Sequence, residues 1–340
     1  MMQRQWVLAS RPSGAPQVDN FRLTETTVPT LQPGKALVKT LYLGVAPVML
    51  RYMRNETVFE RPMEIGDVMA GRGVAEVLQS DSPELPVGAI IQARLGWQEY
   101  ALIDTDQYPK PFILPHTDLP WSHGISTLAL SGFTALVGLR EIGKLVSSDA
   151  ILVSGAGGGV GSQVAMVAKA LGAKRVVGIA GGQDKCQALL SKMGYDAAID
   201  YKNECLEGRL DELFPSGIDL FFDNVGGPLL DLVLARIKRR ARIVICGGIS
   251  EYLLEDTDRY RYQHLQNLGR QDAKMEAFFV YDYEASFQTY GRELADWIRS
   301  GQVVPVEHIS EGIETLPQAL VDLYTGTNLG VRMVHVGDPS

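Results

Sequence analysis

The sequence has little cysteine and no cluster of metal-ligating residues. Its 340 residues include three cysteines, Cys186, Cys205 and Cys246, which form no C-x-x-C pair, and its five histidines show no ligand spacing. Zinc sites in proteins need thiolate and imidazole ligands brought together around the metal. An odd, small number of cysteines also suits a reducing compartment, where disulfides are rare. We therefore expect a cytoplasmic protein without a metal site.

The chain also lacks a basic character and a membrane-spanning run. Its formal net charge is −8, which argues against a nucleic-acid partner. The first residues, MMQRQWVLASRPSG, contain no apolar region of a secretory signal. Residues 150–168 carry no charge, but their glycines, serines and glutamine do not suit a helix that faces lipid. We expect no membrane partner and interpret this run as a buried strand, turn and helix.

Two regions of the chain differ in their pattern of hydrophobic residues. The first 125 residues or so are rich in short β-prone runs broken by glycine and proline. From about residue 126, apolar strands alternate with helices, which is typical of a parallel, doubly wound sheet. The strand candidates in this second region are 150–155, 175–181, 197–201, 218–227, 241–248 and 275–280, and one helix is predicted from about 228 to 238. The pattern predicts an α/β fold.

The stretch SGAGGGVGSQ, residues 154–163, lies between a predicted strand and a predicted helix. A turn in this position directs backbone N–H groups and a helix N-terminus towards an anion, which in a βαβ unit is usually a pyrophosphate. The useful glycine register is Gly155, Gly158 and Gly161, with Val160 just before the last of them. The alternative is a flexible loop without a ligand. Because strands and helices continue to alternate after this turn, we expect a dinucleotide site.

The end of the second strand favours NADPH as this dinucleotide. An NAD site usually has an acidic residue there to hold the ribose 2′-hydroxyl. Here the strand ends in Ala180-Gly181-Gly182, and Lys185 follows. A cation in this position can pair with the 2′-phosphate of NADP. The alternative is that Lys185 is an ordinary solvated lysine.

Several motifs, in this order along the chain, resemble one family. They are GWQEY at 96–100, IAGGQDK at 179–185, DNVGG at 223–227, CGGISEY at 246–252 and TNLG at 327–330. Together they resemble the medium-chain dehydrogenase/reductase superfamily. The closest resemblance is to its zinc-independent branch of NADPH-dependent double-bond reductases, which includes alkenal, prostaglandin and curcumin reductases.

This resemblance implies a two-domain fold and a dimer. A Rossmann domain, with a doubly wound parallel sheet, would bind NADP and occupy residues 126–300. A GroES-like β-barrel domain would combine residues 1–125 with residues 301–340 and hold the substrate. Members of the family also lead us to expect a homodimer.

The resemblance further assigns cofactor contacts. Lys185 and Tyr201 would bind the region of the 2′-phosphate. Asn224 would lie near the nicotinamide half, Thr134 would stand beside the nicotinamide, and Asn328 would reach the cofactor phosphates. The alternatives are that Asn224 and Asn328 are turn residues and that Tyr201 is a packed aromatic at the end of a strand.

The implied reaction is reduction of a C=C bond in an unsaturated aldehyde or ketone. Hydride from the nicotinamide attacks the β-carbon, and a hydrogen-bond donor stabilises the resulting enolate. Our candidate donor is Tyr252, just beyond a strand end, where open α/β sheets place ligands and where the family also has a tyrosine. One alternative is that Tyr252 is a loop tyrosine that covers apolar surface. A ribose hydroxyl of the cofactor would then be the donor.

Two departures from the family pattern concern the substrate pocket. Val48 replaces a pocket tyrosine, and Leu136 stands where many members have tyrosine, so we expect a more apolar pocket. Tyr260 and Tyr262 lie in a segment that differs from the usual Pro-rich loop and are expected to face solvent; the alternative is that they line the cleft. The first hypothesis is an NADPH-dependent enal and enone reductase. The alternatives are an NADPH:quinone oxidoreductase and a non-catalytic NADPH-binding sensor or scaffold.

Overall fold

The computed structural model describes residues 1–54, 62–254 and 256–340. Within these ranges, no helix is both long enough and apolar enough to cross a membrane. The uncharged run at 150–168 is divided between a buried strand, a glycine turn and a helix, as the sequence predicts.

The chain divides into two compact units. The first combines Met1–Ala129 with Glu307–Ser340, and the second is Leu130–Val306. The proposed domain boundaries, after residues 125 and 300, lie near the ends of these units.

Strands and helices are numbered in chain order over the described residues. The strands are β1 Met2–Leu8, β2 Phe21–Thr27, β3 Lys35–Gly44, β4 Arg72–Ser80, β5 Ile90–Arg94, β6 Tyr100–Asp104, β7 Phe112–Ile113, β8 Ile151–Val153, β9 Val176–Ala180, β10 Ala197–Asp200, β11 Ile218–Asp223, β12 Ile237–Ile245, β13 Lys274–Ala277, β14 Glu307–Glu311 and β15 Val331–His335. The α-helices are α1 Met49–Met53, α2 Leu130–Val137, α3 Gly161–Ala170, α4 Gln183–Lys192, α5 Leu206–Leu213, α6 Gly227–Leu234, α7 Gln266–Arg270, α8 Phe287–Arg299 and α9 Leu316–Thr325.

The first unit is built mainly of antiparallel strands. Strands β1 and β2 form a separate pair, and a larger sheet has the order β14-β15-β3-β4-β5-β7, with β6 also paired to β3. The long strand β3 is therefore its centre. Inward residues such as Val38, Leu43, Met69 and Trp97 form its main hydrophobic core.

The second unit contains a parallel sheet of six strands in the order β10-β9-β8-β11-β12-β13. The chain starts in the middle at β8, moves outwards to β10, and then returns to place β11 on the other side of β8. Strands β8 and β9 are buried along their whole length, as expected for a sheet covered on both faces. The reversal between β8 and β11 is a topological switch point, beside which such sheets bind ligands at the carboxyl ends of the strands.

The helix predicted from about 228 to 238 is too long. Helix α6 ends at Leu234, and β12 already begins at Ile237, which pairs with Ile218 of β11. The basic residues that follow Ile237 suit the last turn of a helix. Here the burial of Ile237 and Ala241 in the core of the second unit favours a strand over a continued helix.

Candidate functional site

The glycine run forms a tight turn between β8 and α3. Gly155 has a φ of 56°, in the left-handed region that favours glycine, and its carbonyl accepts the N–H of Gly158 at 3.0 Å. A Cβ at Gly161 would lie 2.2 Å from the Gly155 carbonyl oxygen, so only glycine allows the helix to begin this close to the strand. Val160 immediately precedes the helix. The turn is a backbone cradle that fits the pyrophosphate of a dinucleotide.

A buried hydrogen-bond network joins the ends of β8 and β11. The Ser154 hydroxyl donates to Asp223 at 2.6 Å and accepts the N–H of Asn224 at 2.8 Å. The side-chain amide of Asn224 donates to the Ser154 carbonyl at 2.7 Å. Burial raises the pKa of Asp223, although its hydrogen bonds oppose this effect. The network holds Asn224 beside Gly155, whose added Cβ would lie 3.3 Å from the Asn224 Cβ.

A second cluster, of cationic residues, lies beyond the ends of β9 and β10. Lys185 is in the first turn of α4, whereas Tyr201 and Lys202 follow β10. A Cβ at Gly181 would lie 2.7 Å from the Tyr201 ring and 2.9 Å from Cε of Lys202. Burial, and then the positive charge of Lys202, lower the pKa of Lys185. Neither lysine forms a close salt bridge in the part of the chain that is described, although the positive charge of Lys202 also helps to lower the pKa of the nearby Asp200. The cluster is therefore suited to an anion.

Asp200 fixes the backbone of this cationic cluster. Its Oδ1 accepts the N–H of Gly182 at 2.8 Å and the N–H of Lys202 at 3.0 Å. The amide of Asn203 donates to Oδ2 and is the main reason why the pKa of Asp200 is lowered. The carboxylate thus connects the turn after β9 to the turn after β10 and keeps their side chains together.

Tyr252 lies at the end of a short 3-10 helix, Ile249–Glu251, which follows β12. It is half-buried. The preceding Ser250 donates both its N–H, at 3.1 Å, and its hydroxyl, at 2.6 Å, to the Val225 carbonyl. These bonds place the Tyr252 segment against the turn that carries Asn224. The role of the Tyr252 hydroxyl itself stays a prediction.

The other predicted contacts are on helix α2 and in the first unit. Thr134 is half-buried on α2, but Leu136 is fully buried and has no solvent-facing surface, so its place in a substrate pocket stays a prediction. Val48 packs against the core of the first unit. Asn328 is 8% exposed and donates to the Gly330 carbonyl at 2.9 Å.

The Oδ1 atom of Asn328 is buried and receives no hydrogen bond of ordinary geometry from the residues described, although the nearby His308 side chain interacts with the Asn328 amide, which opposes the lowering of the pKa of His308 by burial. A buried polar atom of this kind costs free energy unless a ligand supplies the missing partner. A ribose hydroxyl or an amide group can donate to it, whereas an ionised phosphate oxygen cannot. The side-chain amide of Asn328 also carries a second N–H, which can donate to a phosphate oxygen, so the contact of Asn328 with the cofactor phosphates stays a prediction.

Comparisons with known proteins place the chain in a family. Residues 4–110 match the N-terminal domain of oxidoreductase, and residues 159–297 match the zinc-binding dehydrogenase model. The NADPH-dependent curcumin reductase of Escherichia coli (strain K12) is 34% identical over 98% of this chain and 96% of its own length. The NADP(+)-dependent 2-alkenal reductase of Nicotiana tabacum is 36% identical over 98% of this chain and 97% of its own. This chain belongs to the medium-chain dehydrogenase/reductase superfamily.

A solved member of the superfamily shows the same fold. CurA from Vibrio vulnificus, crystallised with NADPH, has a TM-score of 0.90 and 34% identity, and the likeness covers 99% of this chain and 100% of that one. The predicted Rossmann and GroES-like domains and the predicted zinc-independent branch of the superfamily are confirmed. So are the predictions of an oxidoreductase and of NADP(H) as its cofactor. The dimer and the cytoplasmic location stay predictions.

Two of the three cysteines in this superfamily member, Cys186 and Cys246, are poor metal ligands. Burial raises the pKa of Cys186 to about 11 and that of Cys246 to about 12, so both thiols are protonated at neutral pH. The described ranges contain no group of three or more His, Cys, Asp or Glu side chains that could hold a metal ion.

The structure corrects one expectation and adds one residue. Tyr260 and Tyr262 do not simply face solvent: both are half-buried, the Tyr260 hydroxyl donates to Asp231 at 2.9 Å, and the Tyr262 hydroxyl accepts the N–H of Gly227 at 3.1 Å. The physical reason is that the buried Asp231 carboxylate needs donors. Lys202 is the functional candidate that sequence reasoning missed. The sequence feature that could have indicated Lys202 is a basic residue shortly after β10, the strand that pairs with β9.

Proposed function

We propose that the protein uses NADPH to reduce the C=C bond of α,β-unsaturated aldehydes and ketones. The observation that carries this proposal is the likeness, over nearly the whole chain, to the 2-alkenal reductase. The site adds physical support, because the cationic cluster and the glycine cradle both fit parts of NADPH.

The cationic cluster would hold the 2′-phosphate. Lys185 and Lys202 supply two positive charges, of which that of Lys202 is partly balanced by Asp200. The neighbouring Tyr201 is 54% exposed and accessible to the adenosine. An NADH molecule has no 2′-phosphate and gains nothing from these charges. We therefore expect a strong preference for NADPH.

The remaining cofactor contacts follow from the glycine turn and its neighbours. Gly155, Gly158, Val160 and Gly161 would shape the cradle for the pyrophosphate at the start of α3, where the bond from the Gly158 N–H to the Gly155 carbonyl keeps the turn tight. Asn224 would lie beside the nicotinamide half, because the Ser154 and Asp223 network fixes it next to that turn. Thr134 would contact the nicotinamide, and Asn328 would reach the cofactor phosphates.

Tyr252 is the proposed hydrogen-bond donor to the substrate. Bound NADPH supplies a hydride for the β-carbon, and a proton from solvent adds to the α-carbon, so the C=C bond becomes a single bond. The Tyr252 hydroxyl donates to the carbonyl oxygen, where negative charge develops as the hydride arrives. A donor already held in place stabilises that charge without reorganisation, which lowers the barrier. Val48 and Leu136 would make the substrate side of the pocket apolar.

Tyr252→Phe tests this role, because it removes only the hydroxyl. Loss of one such donor costs about 10²–10³ in kcat in the best-studied acyl-transfer sites. We expect a loss of about tenfold or more for an enal substrate, with the Kd of NADPH unchanged. Tyr108→Phe, at an exposed tyrosine of the first unit, is the matched control. An unchanged kcat in Tyr252→Phe would assign stabilisation of the enolate to another donor.

A panel of acceptors tests the reaction class. NADPH oxidation is followed with 2-alkenals, enones and quinones. Turnover of alkenals and enones supports the proposal. Turnover of quinones alone would make the protein a quinone oxidoreductase, and tight NADPH binding without any turnover would make it a non-catalytic binding protein.

The homodimer is proposed through strand β13. This strand lies at the edge of the six-stranded sheet, pairs on one side with β12, and all four of its residues are exposed. An open sheet edge can pair with another strand, and a second copy of the chain presents the same edge. Size-exclusion chromatography with light scattering should give twice the chain mass of 37.2 kDa. Met275→Pro, which disturbs regular strand pairing along β13, should shift it to the monomer.

A further inference from the structure

We propose that Tyr262 is a positioning residue for the nicotinamide-side turn, Asn224–Gly227, and that the buried Asp231 holds Tyr262 in place. This inference rests on the proposed function, because it takes Asn224 to lie beside the nicotinamide. Tyr262 acts through the backbone of the turn and touches no reacting atom.

The first observation is the set of bonds to Asp231. This residue of α6 is 3% exposed, and its donors all come from the segment Tyr260–His264. They are the Tyr260 hydroxyl at 2.9 Å, the N–H of Gln263 at 2.9 Å and the N–H of His264 at 2.8 Å, while Nδ1 of His264 lies 3.1 Å away. A buried carboxylate is stable only with such partners. The segment is therefore fastened to α6 on both sides of Tyr262.

The second observation is where the Tyr262 hydroxyl lies. It accepts the N–H of Gly227, the first residue of α6, at 3.1 Å. The first N–H groups of a helix have no partner within the helix, so an outside acceptor is needed. Tyr262 also packs edge-on against Tyr260, with ring centroids 5.5 Å apart, which restricts the orientation of the ring.

The third observation is that the turn is held from its other end by Asp223. The Asp223 carboxylate accepts the N–H of Val225 at 3.0 Å and the N–H of Gly226 at 3.1 Å and 3.2 Å. The next N–H, of Gly227, is the one that Tyr262 accepts. Three successive N–H groups are thus fixed, two by a strand residue and the third by the fastened segment.

The glycines of the turn make this outside support necessary. Gly226 and Gly227 have φ values of 72° and 59°, a conformation that glycine adopts readily but does not enforce. A Cβ at Gly227 would lie 2.8 Å from the Ser250 hydroxyl oxygen, so a stiffer residue does not fit. Without the Tyr262 bond, the turn would keep its bonds to Ser154, Asp223, Ile249 and Ser250, all of which hold residues before Gly227. Asn224 would then be less precisely placed beside Gly155.

Two ligands separate a positioning role from a merely structural one. NADPH occupies the whole cofactor site, whereas adenosine 2′,5′-bisphosphate carries the 2′-phosphate but no nicotinamide. In Tyr262→Phe we expect the Kd of NADPH to rise about fivefold, which is the loss of one ordinary hydrogen bond. The Kd of adenosine 2′,5′-bisphosphate should stay within about twofold of the wild type. Tyr108→Phe should change neither value.

Two results would overturn the inference. Either both Kd values are unchanged in Tyr262→Phe, or both rise together with a fall in Tm, as loss of general stability predicts. If Tyr262→Phe does not give folded protein, Tyr260→Phe carries the same test, because it removes one bond to Asp231 and leaves the other donors. The proposed function is tested separately, by binding of NADPH and turnover of an enal in the wild type. If the wild type binds NADPH and reduces the enal, but both Kd values are unchanged in Tyr262→Phe, only the positioning role is refuted.

Discussion

Replacement of Lys185 separates the two nicotinamide cofactors. The side chain is half-buried in the first turn of α4, close enough to Lys202 for its pKa to be lowered by burial and by that second positive charge. The 2′-phosphate of NADPH would relieve this repulsion, whereas NADH offers no phosphate there. Lys185→Ala should therefore weaken NADPH and leave NADH almost unchanged.

The expected magnitude follows from the kind of bond that is lost. A hydrogen bond to a charged group contributes about 1.5–3 kcal/mol, and partial exposure places this site near the lower figure. About 1.5 kcal/mol corresponds to roughly a tenfold rise in the Kd of NADPH. Removal of Lys185 also ends its repulsion of Lys202, which offsets part of the loss.

The assay is fluorescence titration of the reduced cofactors, with steady-state KM values for both as a second measure. Lys192→Ala is the matched control, because Lys192 is an exposed lysine in the last turn of the same helix. Lys202→Ala should resemble Lys185→Ala. An equal change for NADPH and NADH in Lys185→Ala would remove this residue from the 2′-phosphate and refute the reasoning.

Three further predictions concern the cradle, pH and stability. Gly161→Ala should reduce NADPH affinity and cost about 1–3 kcal/mol in the free energy of unfolding, because its Cβ would meet the Gly155 carbonyl at 2.2 Å. Gly269→Ala is the control, because a Cβ there meets nothing within 4 Å; it should leave the affinity unchanged and should not lower the free energy of unfolding. The Kd of NADPH, but not that of NADH, should rise at alkaline pH below the ordinary lysine range, since Lys185 has a lowered pKa and loses its charge early; identical pH profiles would contradict this. Burial opposes ionisation of Glu307, but the hydrogen bonds of Glu307 with His123 and Ser126 prevail and lower its pKa. The ionised Glu307 carboxylate therefore stabilises the fold fully at pH values above the pKa of the unfolded state, and this contribution is lost as the pH falls through the lower pKa of the folded state. Urea unfolding of Glu307→Gln should therefore show a loss of about 1–3 kcal/mol at pH 7 that shrinks below about pH 4, and a constant difference would count against it.

Much of the fold could be predicted because the second unit follows local rules. Apolar runs gave its strands, and the glycine run marked the switch point between β8 and β11. The error at residues 235–238 arose because pairing of Ile237 with β11 overrides the local preference of the basic residues. Boundaries of this kind depend on a neighbouring strand that the local sequence does not reveal.

The glycine cradle could be predicted, but its supports could not. Ser154 and Asp223 are 69 residues apart in sequence and meet only because β8 and β11 are neighbours in the sheet. Lys202 joins Lys185 for the same reason, through the pairing of β9 with β10. The bond from Gly227 to Tyr262 depends on a loop that returns across α6, for which the sequence has no periodic signal.

The most direct test of the central claim is the fate of the hydride. The protein is incubated with NADPH that carries deuterium on the transferring face of C4 and with a 2-alkenal, and the product is analysed by NMR and mass spectrometry. We expect a saturated aldehyde with one deuterium on the β-carbon. Two results would contradict C=C reduction: an allylic alcohol with deuterium on the former carbonyl carbon, or NADPH oxidation with quinones only.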